Sequence, residues 1–225
     1  MYLSKLLLNP RSSEARRDAS SPYELHRTLA RAFPTVPGID YRAEHGVLFR
    51  MEPLAHRDVQ PTVLVQSNTE PDWSQLPEHY CLSAKCNAFT TDFAAGQTLQ
   101  FRLVVNPTRK EKREGRKQGR RMALPNYLAQ EAEADTPTPA QAWLARQGQQ
   151  HGFEVLWASS DDFWHGASGR GTSKLTIPLY GVRFDGMLRV TEPEQFDAAL
   201  RSGIGPAKAF GFGLLSLAQA KLSIV

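Results

Sequence analysis

Tyr23 and His26 are the two residues whose types and spacing could do acid–base chemistry on a phosphate ester. They lie three residues apart in the first turn of a predicted helix, Pro22 to about Phe33, so they are neighbours on its outer face. Free amides at a helix N-terminus attract phosphate, and an imidazole beside a phenol could move protons during phosphodiester cleavage. A surface histidine next to a tyrosine more often has no catalytic role, so the spacing alone leaves both interpretations open.

A second candidate lies near the end of the chain, where Gly203 to Gly213 contains four glycines, two phenylalanines and Lys208. Such a backbone can approach a ligand closely with its amides pointing outward, which suits a phosphate. A predicted helix (Pro193 to Ser202) precedes the loop and a predicted strand (Leu214 to Leu217) follows it, the reverse of the order in Rossmann and P-loop sites. The competing interpretation is a helix C-cap at Gly203 followed by a loop of small residues.

A basic run from Arg109 to Arg121 is the third candidate. It contains eight basic and two acidic residues, a charge of +6, whereas the whole chain carries +4. Most charge runs are solvated loops. The density of arginine and the interrupting glycines favour a polyanion as the partner of this one.

Composition favours a globular protein that works away from the membrane. Hydrophobic residues make up 41% of the chain and charged residues 22%, and no apolar run is long enough for a signal peptide or a membrane span. We therefore predict a cytoplasmic protein. Cys81 and Cys86 form one isolated pair with no histidine cluster nearby, so we interpret them as reduced thiols and not as zinc ligands.

The elements that must position these candidates begin with a β-α-β-β-(α)-β order, which is the ferredoxin-like split βαβ arrangement. Its helix has Ser21 as N-cap, Pro22 at the first position and Glu24 completing a capping box. The predicted strands are Tyr2–Leu8, Gly46–Glu52, Thr62–Gln66 and Tyr80–Ser83, Asp72–Leu76 is a short helical turn, and Arg11–Ser20 is interpreted as a loop. The apolar face of the helix consists of Leu25, Thr28, Leu29, Ala32 and Phe33.

The C-terminal part gives a second β-α-β-β-α-β order. Asp185-Gly186 is interpreted as a hairpin turn, and Thr191 with Glu194 as a second capping box. The predicted strands are Leu99–Val105, Phe153–Trp157, Leu175–Leu179 with Val182–Phe184, and Met187–Val190, the helices are Pro137–Gln150 and Pro193–Ser202, Ser159–Ser173 is a polar insertion, and Asn87–Gly96 is a linker. The predicted fold class is α+β, with two tandem ferredoxin-like (RRM-like) domains over residues 1–90 and 96–225.

Four motifs, taken in order, give the chain a specific resemblance. They are the opening YLSKLLLNP, the segment ARRDASSPYELHRTLARAF, the turn EPDWSQL and the closing GIGPAKAFGFGLLSLA. In this order they resemble the CRISPR repeat-processing endoribonucleases of the CasE type, which cut precursor guide RNA in the type I-E Cascade system. The motifs cover both ends and the middle of the chain.

The resemblance implies a metal-independent cut at the 3′ base of a CRISPR repeat hairpin that leaves a 2′,3′-cyclic phosphate, with the enzyme remaining bound to its product. It places the family's catalytic histidine on His26, its tyrosine on Tyr23 and its glycine-rich loop on Gly203 to Gly213. Arg31 stands where some relatives have a lysine and cannot serve as a proton donor, so it is given no role. The implied partners are the repeat RNA hairpin, as precursor and as mature crRNA, and the other Cascade subunits.

The chemistry also follows from the residue types. RNA carries its own nucleophile, the 2′-hydroxyl, so cleavage needs a base, an acid for the 5′-oxygen and positive charge at the phosphate, and a histidine with a pKa near ~6.5 can act in either protonation state. No carboxylate or His/Cys cluster suggests a metal site, so we predict neither a metal nor another cofactor. The predicted RNA-binding residues are Arg27, Arg109, Lys110, Arg113, Arg116, Lys117, Arg120, Arg121, Arg170, Lys174, Lys208, Gly211 and Gly213.

The competing class is a non-catalytic RNA-binding or scaffold subunit of a ribonucleoprotein, because ferredoxin-like folds host many functions. A partner with an acidic surface that binds the basic run is a third interpretation, for which the sequence gives no positive sign. Cleavage of repeat RNA in the presence of a chelator would separate the enzyme from the binder. For the enzyme, we expect the outer face of the His26 helix to be turned toward the glycine loop across a cleft between the domains.

Overall fold

The structure is a computed structural model that describes residues 1–34, 41–52, 60–111, 120–127, 136–168 and 176–219. Five predicted RNA-binding residues lie outside these ranges: Arg113, Arg116, Lys117, Arg170 and Lys174. Within the described ranges, no helix is long and apolar enough to cross a membrane.

The N-terminal part of the chain folds into a four-stranded antiparallel sheet. Its strands are β1 (Tyr2–Leu8), β2 (Leu48–Met51), β3 (Thr62–Ser67) and β4 (Cys81–Ala88), its helices are α1 (Ser13–Ser20), α2 (Pro22–Leu29) and α3 (Tyr41–Glu44), and Ala30–Ala32 and Trp73–Gln75 are 3-10 turns. The sheet order β2-β3-β1-β4 is that of a ferredoxin-like fold whose second helix is reduced to a turn. The predicted short turn at Asp72–Leu76 is therefore confirmed.

Residues 11–20 contain the helix α1, so their interpretation as a loop was wrong. Ser12 caps the helix by accepting a hydrogen bond from the Ala15 N–H at 3.3 Å. Asp18 is buried on α1, where its carboxylate accepts a hydrogen bond from Tyr80 Oη at 2.8 Å. The polar pattern concealed this helix because the partner that makes burial of the carboxylate possible lies 62 residues away in the chain.

The C-terminal part folds into a second four-stranded antiparallel sheet. Its strands are β5 (Thr98–Val105), β8 (Phe153–Ser168), β9 (Thr176–Val190) and β10 (Leu215–Gln219), its helices are α4 (Pro139–Gln150) and α5 (Pro193–Ser202), β6 (Thr108–Glu111) and β7 (Arg120–Ala123) form a separate ribbon, and Lys208–Phe210 is a 3-10 turn. The sheet order β10-β5-β9-β8 matches that of the first sheet, strand for strand. The predicted α+β fold with two tandem ferredoxin-like units is confirmed.

Strands β8 and β9 are longer than predicted. β8 continues to Ser168 through most of the predicted insertion Ser159–Ser173, and β9 passes through the predicted hairpin turn at Asp185-Gly186. Asp185 accepts a hydrogen bond from Arg102 Nε on β5 at 2.6 Å, and a Cβ at position 186 would lie 2.2 Å from the backbone oxygen of Trp157. Asp185 therefore forms an ion pair between strands, and Gly186 allows two strands to approach closely, although both residues are of types common in turns.

Two predicted loops are partly strand. The ends of the basic run form the ribbon β6-β7, in which Lys110 pairs with Arg121. The predicted linker begins too early, because β4 continues to Ala88 and pairs Asn87 with Leu3 of β1. In both cases backbone pairing with a neighbouring strand prevails over a polar sequence.

The second predicted capping box is wrong. The N-cap of α5 is Glu192, one residue after the predicted Thr191, and its side chain makes no capping hydrogen bond. The backbone N–H groups of both residues donate to the Gly152 carbonyl, at 2.9 and 3.1 Å, so a chain segment distant in sequence fixes the start of this helix.

Hydrogen bonds from the first sheet hold it against the second. Arg50 on β2 is only 2% exposed, and its guanidinium donates to the Leu214 carbonyl at 3.2 Å and to Ser216 Oγ at 2.9 Å. Gln66 on β3 donates to the Leu200 carbonyl of α5 at 2.7 Å. Elements from both halves of the chain can therefore contribute to one site.

Candidate active site

Helix α2 carries both residues of the predicted catalytic pair. Ser21 caps it by accepting a hydrogen bond from the Glu24 N–H at 3.4 Å, and Pro22 lies in its first turn, as predicted. The predicted capping box is incomplete, because the Ser21 N–H donates to the Asp18 carbonyl at 3.2 Å and the Glu24 carboxylate pairs with Arg27. The α-helix ends at Leu29 and continues as a 3-10 turn, before the predicted end at Phe33. Its buried face contains the residues that the apolar pattern indicated: Leu25, Thr28 and Leu29.

His26 is half-buried against two aromatic rings. Tyr41 Oη lies 2.9 Å from His26 Nδ1 and donates to the His26 carbonyl oxygen at 2.8 Å. The Phe49 ring lies 6.1 Å from the imidazole between centroids, with 26° between the ring planes. A hydrogen bond and a stacked ring therefore fix the imidazole, as is required of a group that acts on one atom of a substrate.

The other candidates on α2 are separate from His26. Tyr23 is half-buried, and among the described residues no hydrogen bond or ring contact joins it to His26. Arg27 is exposed and pairs with Glu24 at 3.3 Å. The phenol that contacts His26 is that of Tyr41, which the sequence analysis missed because it lies 15 residues away, in a four-residue helix too short to produce a periodic pattern.

The glycine loop (Gly203 to Gly213) adopts backbone conformations that few side chains allow. φ is positive at all four of its glycines and reaches +84° at Gly211 and +89° at Gly213. A Cβ at position 213 would lie 2.8 Å from the Ile204 oxygen, and one at position 211 would lie 3.2 Å from the Phe49 ring. The loop therefore packs on the same aromatic ring that stacks with His26.

Five amides of this loop do not point outward, contrary to the prediction: those of Gly203, Ile204, Phe210, Gly211 and Gly213. The Gly211 N–H donates to the Lys208 carbonyl at 3.2 Å, and the Gly213 N–H donates to the Val104 carbonyl at 2.8 Å. The Gly203 N–H ends α5, so the C-cap interpretation of this residue is also right. Because these donors are used inside the protein, the loop offers an anion the charge of Lys208.

A groove of about 810 Å³ lies between the glycine loop, the ribbon and the far ends of β8 and β9. Arg42, Arg121 and Lys208 line it, together with Trp164, which is 68% exposed. Burial lowers the pKa of Lys208, and the positive charge of Arg42 lowers it further. Positive charge beside an exposed aromatic ring is the surface that a nucleic acid strand requires.

The groove adjoins the histidine. Helix α2 is in contact with the 3-10 turn Lys208–Phe210 of the glycine loop. Tyr41, which contacts His26, is followed directly by Arg42, which lines the groove. The structure therefore confirms that the His26 helix contacts the glycine loop, whereas the predicted orientation of the outer face of the helix toward this loop stays a prediction.

In the basic run, side chains are described for three predicted RNA-binding residues, Arg109, Lys110 and Arg121, and all three are exposed. Arg109 forms an ion pair with Glu111 at 2.6 Å along β6. Arg120 is the first residue of β7. The ribbon therefore carries positive charge beside the groove, which supports a polyanion as its partner.

The two cysteines and the residue types that bind metals form no further candidate site in the part of the chain that the structure describes. Cys81 and Cys86 are both free, as predicted, and burial raises the pKa of Cys81 to about 11. Among the residues that the structure describes, no three His, Cys, Asp or Glu side chains lie close enough together to hold a metal ion. Independence from metals stays a prediction for experiment.

Comparison with known proteins identifies the family. The family described as CRISPR associated protein matches residues 1–219, and the chain belongs to it. The CRISPR-associated endoribonuclease Cse3 of Thermus thermophilus is 38% identical over 97% of this chain and 100% of its own length. A structure of CRISPR endoribonuclease Cse3 bound to 19 nt RNA is 37% identical, covers 97% of this chain and 100% of that chain, and has a TM-score of 0.81. The CRISPR system Cascade subunit CasE of Escherichia coli is 29% identical over 97% of this chain and 99% of its own length.

Proposed function

We propose that this chain is an endoribonuclease that binds the hairpin of a CRISPR repeat and cuts precursor crRNA at the 3′ base of that hairpin. The observation that carries the proposal is the fixed position of His26 against Tyr41 and Phe49, next to a groove with three cationic side chains. The name of the Thermus relative, which matches nearly the whole chain, supports the same activity.

The reaction uses the 2′-hydroxyl of the RNA as its nucleophile. Neutral His26 takes the 2′-hydroxyl proton as the 2′-oxygen bonds to phosphorus, or charged His26 gives a proton to the 5′-oxygen as its bond to phosphorus breaks. One P–O bond replaces another, so the products are a 2′,3′-cyclic phosphate and a 5′-hydroxyl. Tyr23, on the same helix, is the second proposed catalytic residue and orients the RNA or donates a proton.

Positive charge at the scissile phosphate comes from the groove. Lys208 is half-buried and lies near Arg42, so its interaction with a phosphate is screened less by water than that of an exposed lysine. An anion placed between the two would oppose the lowering of the Lys208 pKa, because its negative charge favours the protonated amine. The exposed ring of Trp164 provides a surface on which an unpaired base can stack.

The ribbon β6-β7 holds the stem of the hairpin. A folded RNA stem presents its phosphates and shape more than its base edges, so arginine and lysine side chains are the main contacts. Arg109, Lys110 and Arg121 lie on the described part of the ribbon, and Arg113, Arg116 and Lys117 of the same run are proposed to bind the stem with them. Arg27 and Gly211 complete the proposed RNA-contacting surface, the glycine through close approach of its backbone, whereas Gly213 is buried and is left out of this surface.

The mature crRNA stays bound, and the protein remains with it among the other Cascade subunits, in line with the name of the Escherichia relative. A place in the cytoplasm is part of this proposal, and the two free thiols support a reducing compartment. The proposed domains, residues 1–90 and 96–225, are supported by two separate buried cores, one against each sheet.

The test is incubation of the full-length protein with its CRISPR repeat RNA in excess EDTA, followed by analysis of the ends of the products. We expect one cut with a 2′,3′-cyclic phosphate on the upstream fragment. An RNA with a single 2′-deoxynucleotide at the cut position is the matched control, which should bind and stay intact. A requirement for a divalent metal contradicts the mechanism, and tight binding without a cut indicates a non-catalytic RNA-binding or scaffold subunit.

A further inference from the structure

Tyr41 contacts His26 through one oxygen atom at two points. Its Oη lies 2.8 Å from the His26 carbonyl oxygen and 2.9 Å from His26 Nδ1. A phenol carries one hydroxyl proton, and a carbonyl oxygen can only accept a hydrogen bond. The hydroxyl proton therefore points to the carbonyl, because otherwise two oxygen atoms would lie 2.8 Å apart with no proton between them. The lone pair of Oη then faces Nδ1, so Nδ1 carries a proton and donates it.

We propose that Tyr41 is a positioning residue that holds neutral His26 as the Nδ1–H tautomer. In this tautomer the lone pair of the ring is on Nε2, because the nitrogen engaged by a neighbour decides the state of the other. Nε2 is then the atom that takes a proton from the RNA and, once charged, gives one back. The catalytic meaning of this inference rests on the proposed function, whereas the tautomer is a property of the protein without RNA.

The surroundings hold Tyr41 in the position that this role requires. Its ring lies 6.0 Å from the ring of Phe33, which is buried, and 5.0 Å from the imidazole of His26. The His26 carbonyl also accepts the Ala30 N–H at the end of α2, so the oxygen that orients the Tyr41 hydroxyl is itself fixed by the helix. Two supports, one aromatic and one from the backbone, therefore set the direction of a single hydroxyl group.

Nitrogen-15 NMR of the imidazole rings measures the tautomer directly in the full-length protein without RNA, with His26→Ala used to identify the His26 signals. In the wild type, neutral His26 should have a protonated Nδ1 and a proton-free Nε2. In Tyr41→Phe, which keeps the ring beside Phe33 and removes Oη, the Nε2–H form should gain population. The control is Tyr23→Phe, which removes the hydroxyl oxygen of the tyrosine that lies on α2 together with His26. This variant should leave the tautomer of His26 unchanged.

A wild-type His26 that is mainly Nε2–H when neutral would overturn the assignment, and this measurement needs no folded variant at position 41. The same conclusion follows if Tyr41→Phe is folded and its His26 tautomer does not change. Thermal unfolding compared with the wild type establishes that this variant is folded. Each result concerns the ring of His26 and does not depend on cleavage.

Single-turnover cleavage then tests whether the tautomer is used. At saturating protein, Tyr41→Phe should cut repeat RNA about tenfold more slowly than the wild type, or slower still, with unchanged affinity for the hairpin. If the His26 tautomer shifts in Tyr41→Phe and this variant still cuts at the wild-type rate, Tyr41 has no positioning role in catalysis. If the wild-type protein itself leaves repeat RNA uncut, the proposed function fails, whereas the NMR result still decides the tautomer.

Discussion

The two ferredoxin-like folds share one sheet order and differ in what is added to it. In the N-terminal fold the second helix is reduced to the 3-10 turn Trp73–Gln75, and the first crossover carries the extra helix α1 before α2. In the C-terminal fold both helices are complete, and the additions are the ribbon β6-β7 and the glycine loop. The topology is common to both, so the contribution of each fold to the site depends on the side chains and loops that it carries and not on its strand order.

The contributions are chemically different. The N-terminal fold provides a titratable imidazole held by aromatic rings, those of Tyr41 and Phe49. The C-terminal fold provides positive charge on Lys208 and on the ribbon, and Arg42 reaches the same groove from the N-terminal fold. We infer that proton transfer depends mainly on the first fold and RNA affinity mainly on the second. Two variants test this division, and a third tests how the two folds are joined.

The largest expected effect is that of His26→Ala, which removes the group that we propose to move protons. The single-turnover cleavage rate should fall by about 10²–10⁴-fold, whereas the affinity for the hairpin should stay close to that of the wild type. His79→Ala is the control, because His79 lies on an exposed turn with its side chain 80% accessible. Cleavage at the wild-type rate by His26→Ala would place the chemistry elsewhere.

A smaller effect is expected when five charges of the basic run are neutralised together: Arg113, Arg116, Lys117, Arg120 and Arg121. If two of the five contact phosphates, affinity at 0.1 M salt should fall by about 10²-fold, and the salt dependence should flatten by about one unit for each lost contact. The cleavage rate at saturating protein should fall much less.

The control for this variant is Lys5→Gln with Lys85→Gln, because these exposed lysines lie opposite each other on the N-terminal sheet, which does not include the strands of the ribbon. Unchanged affinity and an unchanged salt slope in the five-residue variant would make the run a solvated loop. The stem would then have to be held by other residues, for which Arg170 and Lys174 are the first to test.

The smallest expected effect is that of Arg50→Met, which removes the hydrogen bonds from β2 to the Leu214 carbonyl and to Ser216 of β10. The free energy of unfolding, measured with urea, should fall by about 2 kcal/mol, because buried acceptors lose their donor. Arg50 also pairs with the carboxylate of Glu52. In the variant this carboxylate keeps Arg102 as a partner at 3.1 Å, so the loss of stability stays below that expected for an unpaired buried charge. Arg189→Met, in a pair with Glu154 that is about half exposed on both sides, should cost less than about 1 kcal/mol. Equal losses in the two variants would mean that Arg50 does not join the folds.

Patterns within single elements were enough to predict most of the fold. The N-cap and apolar face of α2, the alternation in β5 and the short turn after β3 are local properties, and each has its counterpart in the structure. The failures concern residues whose role depends on a distant partner. Asp18 looked like a loop residue until Tyr80 was seen to bind it, and Asp185 looked like a turn residue until Arg102 was seen opposite it.

The site residues were also predictable only where the nearby sequence was informative. His26 and Lys208 were chosen because their neighbours in sequence are informative, a capped helix in one case and a glycine cluster in the other. Tyr41 and Arg42 have no such neighbours, and only the packing of α3 brings them to the histidine and to the groove. The amides of Gly211 and Gly213 were assigned to a ligand because a sequence does not reveal which backbone donors the fold itself will use.

The pairing of β10 with β5, in which Leu215 lies opposite Leu103, also determines when the site becomes complete during synthesis. The strands of the N-terminal sheet all come from the first 88 residues, so this half can fold while the ribosome is still making the rest. The C-terminal sheet is completed last, because its final strand, β10, must pair with its first strand, β5, from which most of the C-terminal chain separates it. Pairing between strands so distant in sequence is usually slow. Nascent chains that stop before β10 should therefore present His26 and yet leave repeat RNA uncut, which a cleavage assay on stalled ribosomes can establish.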